Sequence, residues 1–186
     1  MLGLKRGTVA LLEHDPRWEE WARQLMQTLR EVLGPTALDI RHVGSTAISG
    51  ICAKPIVDIA VGVADPSVLD GFEPALAQRG IILRTRASDE EGGWLLVTGD
   101  FARDTRTSHI HVVAYGGKAW HNYIDFRDYL NHCEAAAREY EQWKLALAAQ
   151  YPDDRESYTR GKAELIARLL ERAKAWRKGK EDTVCE

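Results

Sequence analysis

Positive charge is not in excess in this chain: 25 lysines and arginines stand against 28 aspartates and glutamates, for a formal net charge of −3 and a pI near 6.1. A surface built to hold nucleic acid in general would carry the opposite balance. Cysteine is scarce, and Cys52, Cys133 and Cys185 share no CxxC spacing. An odd, scattered set excludes a disulfide framework and a cysteine metal site. No apolar run is long enough to span a bilayer, and the first residues lack the apolar core of a secretion signal. The expectation is a soluble, cytoplasmic protein with no membrane partner. Internal repeats and low-complexity linkers are also missing, so a second domain has nowhere to begin. The 186 residues suit one compact domain, expected over 1–173. Residues 174–186 (KAWRKGKEDTVCE) are dominated by charge and are expected to form a flexible tail.

The remaining pattern alternates strands and helices. Residues 8–12 form a short apolar run that suits an edge strand. Asp15-Pro16 is a good helix start, and Trp18, Trp21, Ala22, Leu25, Leu29, Val32 and Leu33 follow at helical spacing up to Gly34-Pro35. Strands are expected over 38–43, 56–63, 81–83, 94–97 and 109–115, with a helix over 66–79 that turns Leu69, Phe72, Ala75 and Leu76 inward. An acidic turn over 88–93 carries Glu90 and Glu91, which solvent explains better than catalysis. Two helices share 120–150 with a break near Cys133, and a last helix over 154–177 has Leu165, Ile166, Leu169, Leu170 and Ala173 as its apolar stripe. The fold class is α/β: a mixed sheet packed by helices, with a C-terminal helical layer.

Chemistry concentrates between Ile40 and Val63. A strand ends in Gly44-Ser45-Thr46, where bared N–H groups and hydroxyls suit phosphate oxygens. Lys54 then precedes an apolar run that contains a lone carboxylate, Asp58. Burying that charge is costly unless it is paired or bound to a metal. His109 and His111 stand two apart on a strand, so both imidazoles leave one face. One of them is a possible general base, and a hydrogen bond from an imidazole to Asp58 with no metal present is equally open. Arg103, Arg106 and Arg127 suit phosphate neutralisation, although Arg127 is equally able to pair with Asp128. Tyr158 and Lys162, four apart on the last helix, are placed to close over a ligand or to anchor that helix. Trp120 and Tyr123 are the aromatics best placed for base stacking.

These residues resemble the phosphate-binding and catalytic strands of the nucleotidyltransferase fold, where a strand ending in Gly-Ser or Gly-Gly precedes one reading acid, apolar, acid, apolar. More closely, His42-Val43-Gly44-Ser45-Thr46 followed by Ala53-Lys54-Pro55-Ile56-Val57-Asp58-Ile59 resembles the signature of the GrpB family. His14-Asp15-Pro16-Arg17-Trp18, His109-Ile110-His111-Val112, Phe126-Arg127-Asp128-Tyr129-Leu130 and Tyr158 with Lys162 agree with it, in order, over roughly residues 8–170.

The resemblance implies that Ser45 and nearby amides hold nucleotide phosphates, and that His42 rather than Arg41 belongs to the cleft. It implies a divalent metal (Mg, Mn or Zn) held by Asp58 with His109 and His111, and no organic cofactor. Two imidazoles suit Zn²⁺ or Mn²⁺ better than Mg²⁺. Active members of the fold place a second acid where this chain has Ala60, which ends the usual two-metal cage. The expected activity is binding of a nucleotide or phosphorylated small molecule, with metal-assisted phosphoryl or nucleotidyl transfer. The alternative is a non-catalytic module for nucleotides or coenzyme A precursors, or for folding and regulation, since relatives occur fused to dephospho-CoA kinase. A transferase acting on an antibiotic-like hydroxyl compound is a third possibility.

Overall fold

A computed structural model of the chain describes residues 2–86 and 93–179. Glu90 and Glu91 lie outside the described residues, as does the stretch 180–186. The first element is a short strand, β1 (Leu4–Lys5), followed by helix α1 (Arg17–Leu33). Strands β2 (Asp39–Val43) and β3 (Val57–Val63), helix α2 (Glu73–Gln78), and strands β4 (Ile82–Arg86), β5 (Gly93–Thr98), β6 (Thr105–Arg106) and β7 (Ser108–Ala114) come next. Helices α3 (Lys118–His132), α4 (Glu134–Gln150) and α5 (Arg155–Lys178) complete the chain.

Five strands form one mixed sheet in the order β2-β3-β7-β5-β4, with β3 and β7 parallel and the other neighbours antiparallel. Strand alternation assigns its two faces. Val57, Ile59, Val61 and Val63 of β3 join Ile110 and Val112 of β7 in the core beneath α1. The intervening residues face the opposite layer, where Ala60 and Val113 pack with Val43 and Trp120. Asp58, His109 and His111 therefore belong to the face covered by α3, α4 and α5. Those helices hold a core of their own, including Leu130, Ala137, Leu165 and Leu169. A helical break falls at Cys133, whose backbone is extended between α3 and α4.

Several expectations are corrected. Residues 8–12 are not a strand: β1 lies earlier and pairs with β6, while Leu12 makes a single bridge to Ala53. Val9 instead packs with Leu147 and Tyr158, which draws this run toward the helices. The helix expected over 66–79 divides into a 3-10 turn (Pro66–Gly71) and α2, because Pro74 has no N–H to continue the first segment and suits a new first turn. Ala75 faces solvent, leaving Leu69 and Leu76 buried. The last helix runs to Lys178, within one residue of its expected end, with Arg177 bonded to Asp125 and Asp128. Its charges have partners that composition alone does not reveal. No helix among the described residues is long and apolar enough to cross a membrane.

Candidate functional site

Parallel pairing of β3 with β7 places Asp58 beside His109 and Ala60 beside His111. One carboxylate oxygen, Oδ1, meets both imidazoles, His109 Nδ1 at 3.2 Å and His111 Nε2 at 3.4 Å. With its Nε2 turned to the carboxylate, His111 meets the Tyr123 hydroxyl at Nδ1, 3.1 Å away. Burial works to raise the Asp58 carboxyl, but the hydrogen bonds from His109 and His111 outweigh it and hold the group well below the usual carboxylate range. Asp58 stays ionised across the neutral range.

Gly44 ends β2 against this carboxylate. A Cβ there would lie 2.5 Å from Asp58 Oδ2, and the backbone φ is +71°. Only glycine satisfies both demands. Ser45 opens a short 3-10 turn, and its hydroxyl lies 3.2 Å from that of Tyr140.

Two cavities meet at Asp58. A polar lobe of about 280 Å³ is lined by Ser45, Lys54, His109, Lys144, Arg155 and Lys162, among others. A more apolar lobe of about 460 Å³ is lined by Tyr123, Phe126, Tyr140, Ile166 and Leu170. Ser45, Asp58, His111, Thr159 and Lys162 line both. The polar lobe thus gathers four cations around one carboxylate. Burial, then the neighbouring charges of Lys162 and Arg155, push the Lys54 ammonium down to about 7. Burial and then Lys162 do the same to Lys144, also to about 7. Lys162 is lowered as well, chiefly by burial. Lys54 Nζ and Lys162 Nζ both lie over the Tyr158 ring, 4.2 and 4.9 Å from its centroid. Such contacts steady cations without neutralising them.

Asp58, His109, His111, Gly44, Ser45, Lys54, Tyr158 and Lys162 therefore come together as the sequence predicts. Other expected residues do not join them. His42 shares the α1 face with Ile40, and its Nε2 lies 2.9 Å from the hydroxyl of the buried Thr46. Both sit behind the turn, and burial pushes the His42 imidazole down to about 4. Arg127 bonds the His42 carbonyl at 3.0 Å and pairs with Asp128, so it braces β2. Arg103 is exposed near Asp100. Arg106 lies on the β1–β6 ribbon, bonded to the Thr105 carbonyl. Trp120 is core: a Cβ on Gly62 would come within 3.0 Å of its ring. Ala60 is fully buried in that cluster, so its position has no room for a second acid.

The expected metal ligands Asp58, His109 and His111 meet one another directly. Among the described residues, no group of three or more His, Cys, Asp or Glu is arranged to hold an ion. The two imidazole nitrogens nearest Asp58 are turned to its carboxylate as hydrogen-bond partners. This donor set does not fit the two-metal cage of the fold, which draws on a second strand carboxylate.

Lys144, Arg155, Thr159 and Tyr140 line the cleft without having been singled out. One signal was available for Lys144: it shares a stripe of α4 with Ala137, Tyr140 and Leu147 at helical spacing, and a lysine within such a stripe is buried.

Comparison with known proteins agrees with this geometry. A sequence profile of the GrpB protein family matches residues 8–172. The Glutamate-rich protein GrpB of Alkalihalophilus pseudofirmus is 36% identical over 171 residues, covering 91% of this chain and 98% of that protein. The crystal structure of conserved protein GrpB from Enterococcus faecalis superposes with a TM-score of 0.81 at 26% identity, over 90% of this chain and 99% of that one. Terminal uridylyl transferase 4 from Trypanosoma brucei, solved with bound dUTP, shares the fold at a TM-score of 0.53 and 12% identity, over 86% of this chain and 55% of that one. The architecture is nucleotidyltransferase-like, and with a profile match and a near full-length relative the chain belongs to the GrpB family.

Proposed function

We propose that the chain binds a phosphorylated small molecule, a nucleotide first among them, across the two lobes that meet at Asp58. The observation that carries this reading is the charge of the polar lobe: Lys54, Lys144, Arg155 and Lys162 surround Ser45 with Asp58 as their lone carboxylate. Desolvated cations this close to one another are costly until an anion arrives. Phosphate oxygens match them as acceptors of charge-assisted hydrogen bonds. The apolar lobe then receives the organic part, with Tyr123, Phe126 and Tyr140 as ring surfaces. In a transfer reaction the cations would neutralise the leaving phosphate, and a histidine oriented by Asp58 would take the acceptor's proton.

A second reading, a non-catalytic binding module, is favoured by Ala60, since the place of the second acid is filled by packed side chains. Both readings require the ligand. A thermal-shift panel of inorganic pyrophosphate, nucleotides and coenzyme A precursors, each with and without Mn²⁺ and Mg²⁺, tests it. A ligand at about 100 times its Kd stabilises the fold by about 2.7 kcal/mol. That shift is expected without metal and is expected to vanish in a Lys54→Met/Lys162→Met variant. Silence across the whole panel would overturn the proposal. Once a ligand is found, turnover in the wild type that is absent in His109→Gln selects the enzyme, and binding without turnover selects the module.

A further inference from the structure

The three lysines of the polar lobe differ in what their amines touch. Lys144 is fully buried, and its Nζ donates to the Cys52 carbonyl. Lys162 stands where the polar and apolar lobes join. Lys54 lines the polar lobe and not the apolar one. Among the described residues its Nζ has no hydrogen bond or ion pair, and it rests over the Tyr158 ring. A half-buried ammonium with no acceptor, set among like charges, is poised to give up its proton. Burial, then Lys162 and Arg155, accordingly bring Lys54 down to about 7, so that much of it carries a free lone pair at neutral pH. A desolvated lysine beside other cations is the arrangement of a nucleophilic amine.

The surroundings of Lys54 select its electrophile. Ser45, Arg155 and Lys162 line the same lobe and suit a phosphate, and the cavity of about 280 Å³ has room for a small molecule. In an acyl phosphate the reactive carbon lies one oxygen from phosphorus, and phosphate is itself the leaving group. Cations that bind it therefore also meet the charge that develops as it departs. A phosphorylated aldehyde would gain no such help, because its phosphate stays attached.

We infer that Lys54 is a site of acylation by small acyl phosphates, with its Nζ attacking the acyl carbon while Ser45, Arg155 and Lys162 hold the phosphate. This rests on the proposed binding of phosphate groups in the polar lobe. A bond forms from Nζ to the carbonyl carbon, and the bond from that carbon to the phosphate oxygen breaks. The electron pair leaves on that oxygen, and a proton passes from nitrogen to the departing phosphate, so the products are a neutral amide and hydrogen phosphate. Acylation removes one cation from the lobe and so weakens the phosphate binding that promoted it.

The test is incubation of the wild-type protein with acetyl phosphate at pH 7.5, with peptide mass mapping over time. Lys54 should be acetylated about tenfold or more faster than the exposed Lys5 and Lys178. Saturating inorganic pyrophosphate should remove that lead, and p-nitrophenyl acetate, a donor without phosphate, should show a smaller one. The acetylated protein should bind pyrophosphate roughly tenfold more weakly. Equal rates at Lys54 and the exposed lysines would overturn the inference, as would acetylation at Lys144 or Lys162 instead, or an equal lead with both donors. Pyrophosphate binding is measured separately by calorimetry. If pyrophosphate binds and Lys54 shows no lead, this inference alone falls; if pyrophosphate does not bind, the polar lobe is not a phosphate site and both proposals fall.

Discussion

Two clusters of ionised side chains flank the end of β2, and their charges are balanced in opposite ways. On one side, Arg127 and Arg177 meet Asp125 and Asp128, with Arg177 bonds of 2.8 and 2.6 Å and an Arg127–Asp128 bond of 2.8 Å. Two cations face two carboxylates, and Arg127 has a further donor for the His42 carbonyl. On the other side, Lys54, Lys144, Arg155 and Lys162 face Asp58, whose charge is already met by two imidazoles. The first cluster is complete without a ligand: it ties the end of α5 through α3 to β2. The second gathers more basic side chains than the one carboxylate lining its cavity can balance. Both are rich in basic residues, so residue type does not separate structure from function. Charge balance around a cavity does.

The sharpest way to break the comparison is at Gly44, which joins β2 to the cleft. Gly44→Ala would force a left-handed backbone on alanine and drive its methyl into Asp58. Strain and overpacking together should cost about 3 kcal/mol. Urea denaturation checks the cost, and pyrophosphate binding should be lost with it, because Asp58 and Ser45 cannot keep their relative places. A variant that binds normally would show that the close approach is not part of the site.

Replacing one cation in each cluster should then move stability in opposite directions. Arg177→Met strands Asp125, which is only 7% exposed, and leaves Asp128 with Arg127 alone. About 2 kcal/mol should be lost, an amount discounted for the partial exposure of Arg177. Lys54→Met removes a desolvated charge from among like charges and should stabilise the ligand-free protein by about 1 kcal/mol at pH 7, while weakening pyrophosphate binding by roughly tenfold. Loss of stability in both variants would end the distinction between the clusters.

How legible these clusters are in the sequence follows from how each side chain is positioned. Asp58, His109 and His111 sit on strands, where the two-residue period fixes the face and one parallel register brings the three together. That same period puts His42 on the far face with Ile40, so a residue beside the Gly-Ser turn is not in the cleft. Lys144 and Arg155 come from helices, whose rotation against the sheet is set by packing with partners distant in sequence. The sequence leaves Arg127 open between phosphate and Asp128 because a guanidinium suits phosphate, carboxylate and backbone carbonyl alike. Arg177, which shares Asp128 with Arg127, lies in a charged segment whose docking depends on Asp125 and Asp128, some fifty positions earlier. The sheet could be read from β3, β5 and β7, whose apolar runs close in glycine or polar turns, while β2 and β4 are shorter and more polar. The division at 66–79 could not, because Pro74 is compatible with either one helix or two.

Titration should sharpen the contrast with a smaller, graded effect. Lys54 and Lys144 lie near 7 in the fold and near 10.5 when unfolded. Between those values the unfolded chain holds more protons, so the stability of the free protein should rise as pH climbs through this window. Below about 7 both states are protonated and this contribution is flat. Anion binding should reverse the preference, since it favours the protonated amines. Sulfate, whose own charge is constant here, should bind about tenfold more weakly at pH 9 than at pH 7. In Lys54→Met both slopes should shrink, whereas Arg177→Met should leave them unchanged. Calorimetry in buffers of different ionisation heat would detect the accompanying proton uptake.

The smallest expected effect lies at the junction of the two lobes. Tyr123→Phe removes the hydroxyl 3.1 Å from His111 Nδ1 but keeps a ring against the imidazole, their centroids being 4.8 Å apart in the wild type. Loss of one hydrogen bond should cost about 1 kcal/mol or less in stability. Inorganic pyrophosphate, which needs only the cations, should bind as before. An organic phosphate that fills the apolar lobe should bind more weakly, because His111 is no longer held from that side. If pyrophosphate binding fell as far as that of the organic ligand, Tyr123 would be acting through Asp58 on the cations, and the lobes would not be separable as charge and packing.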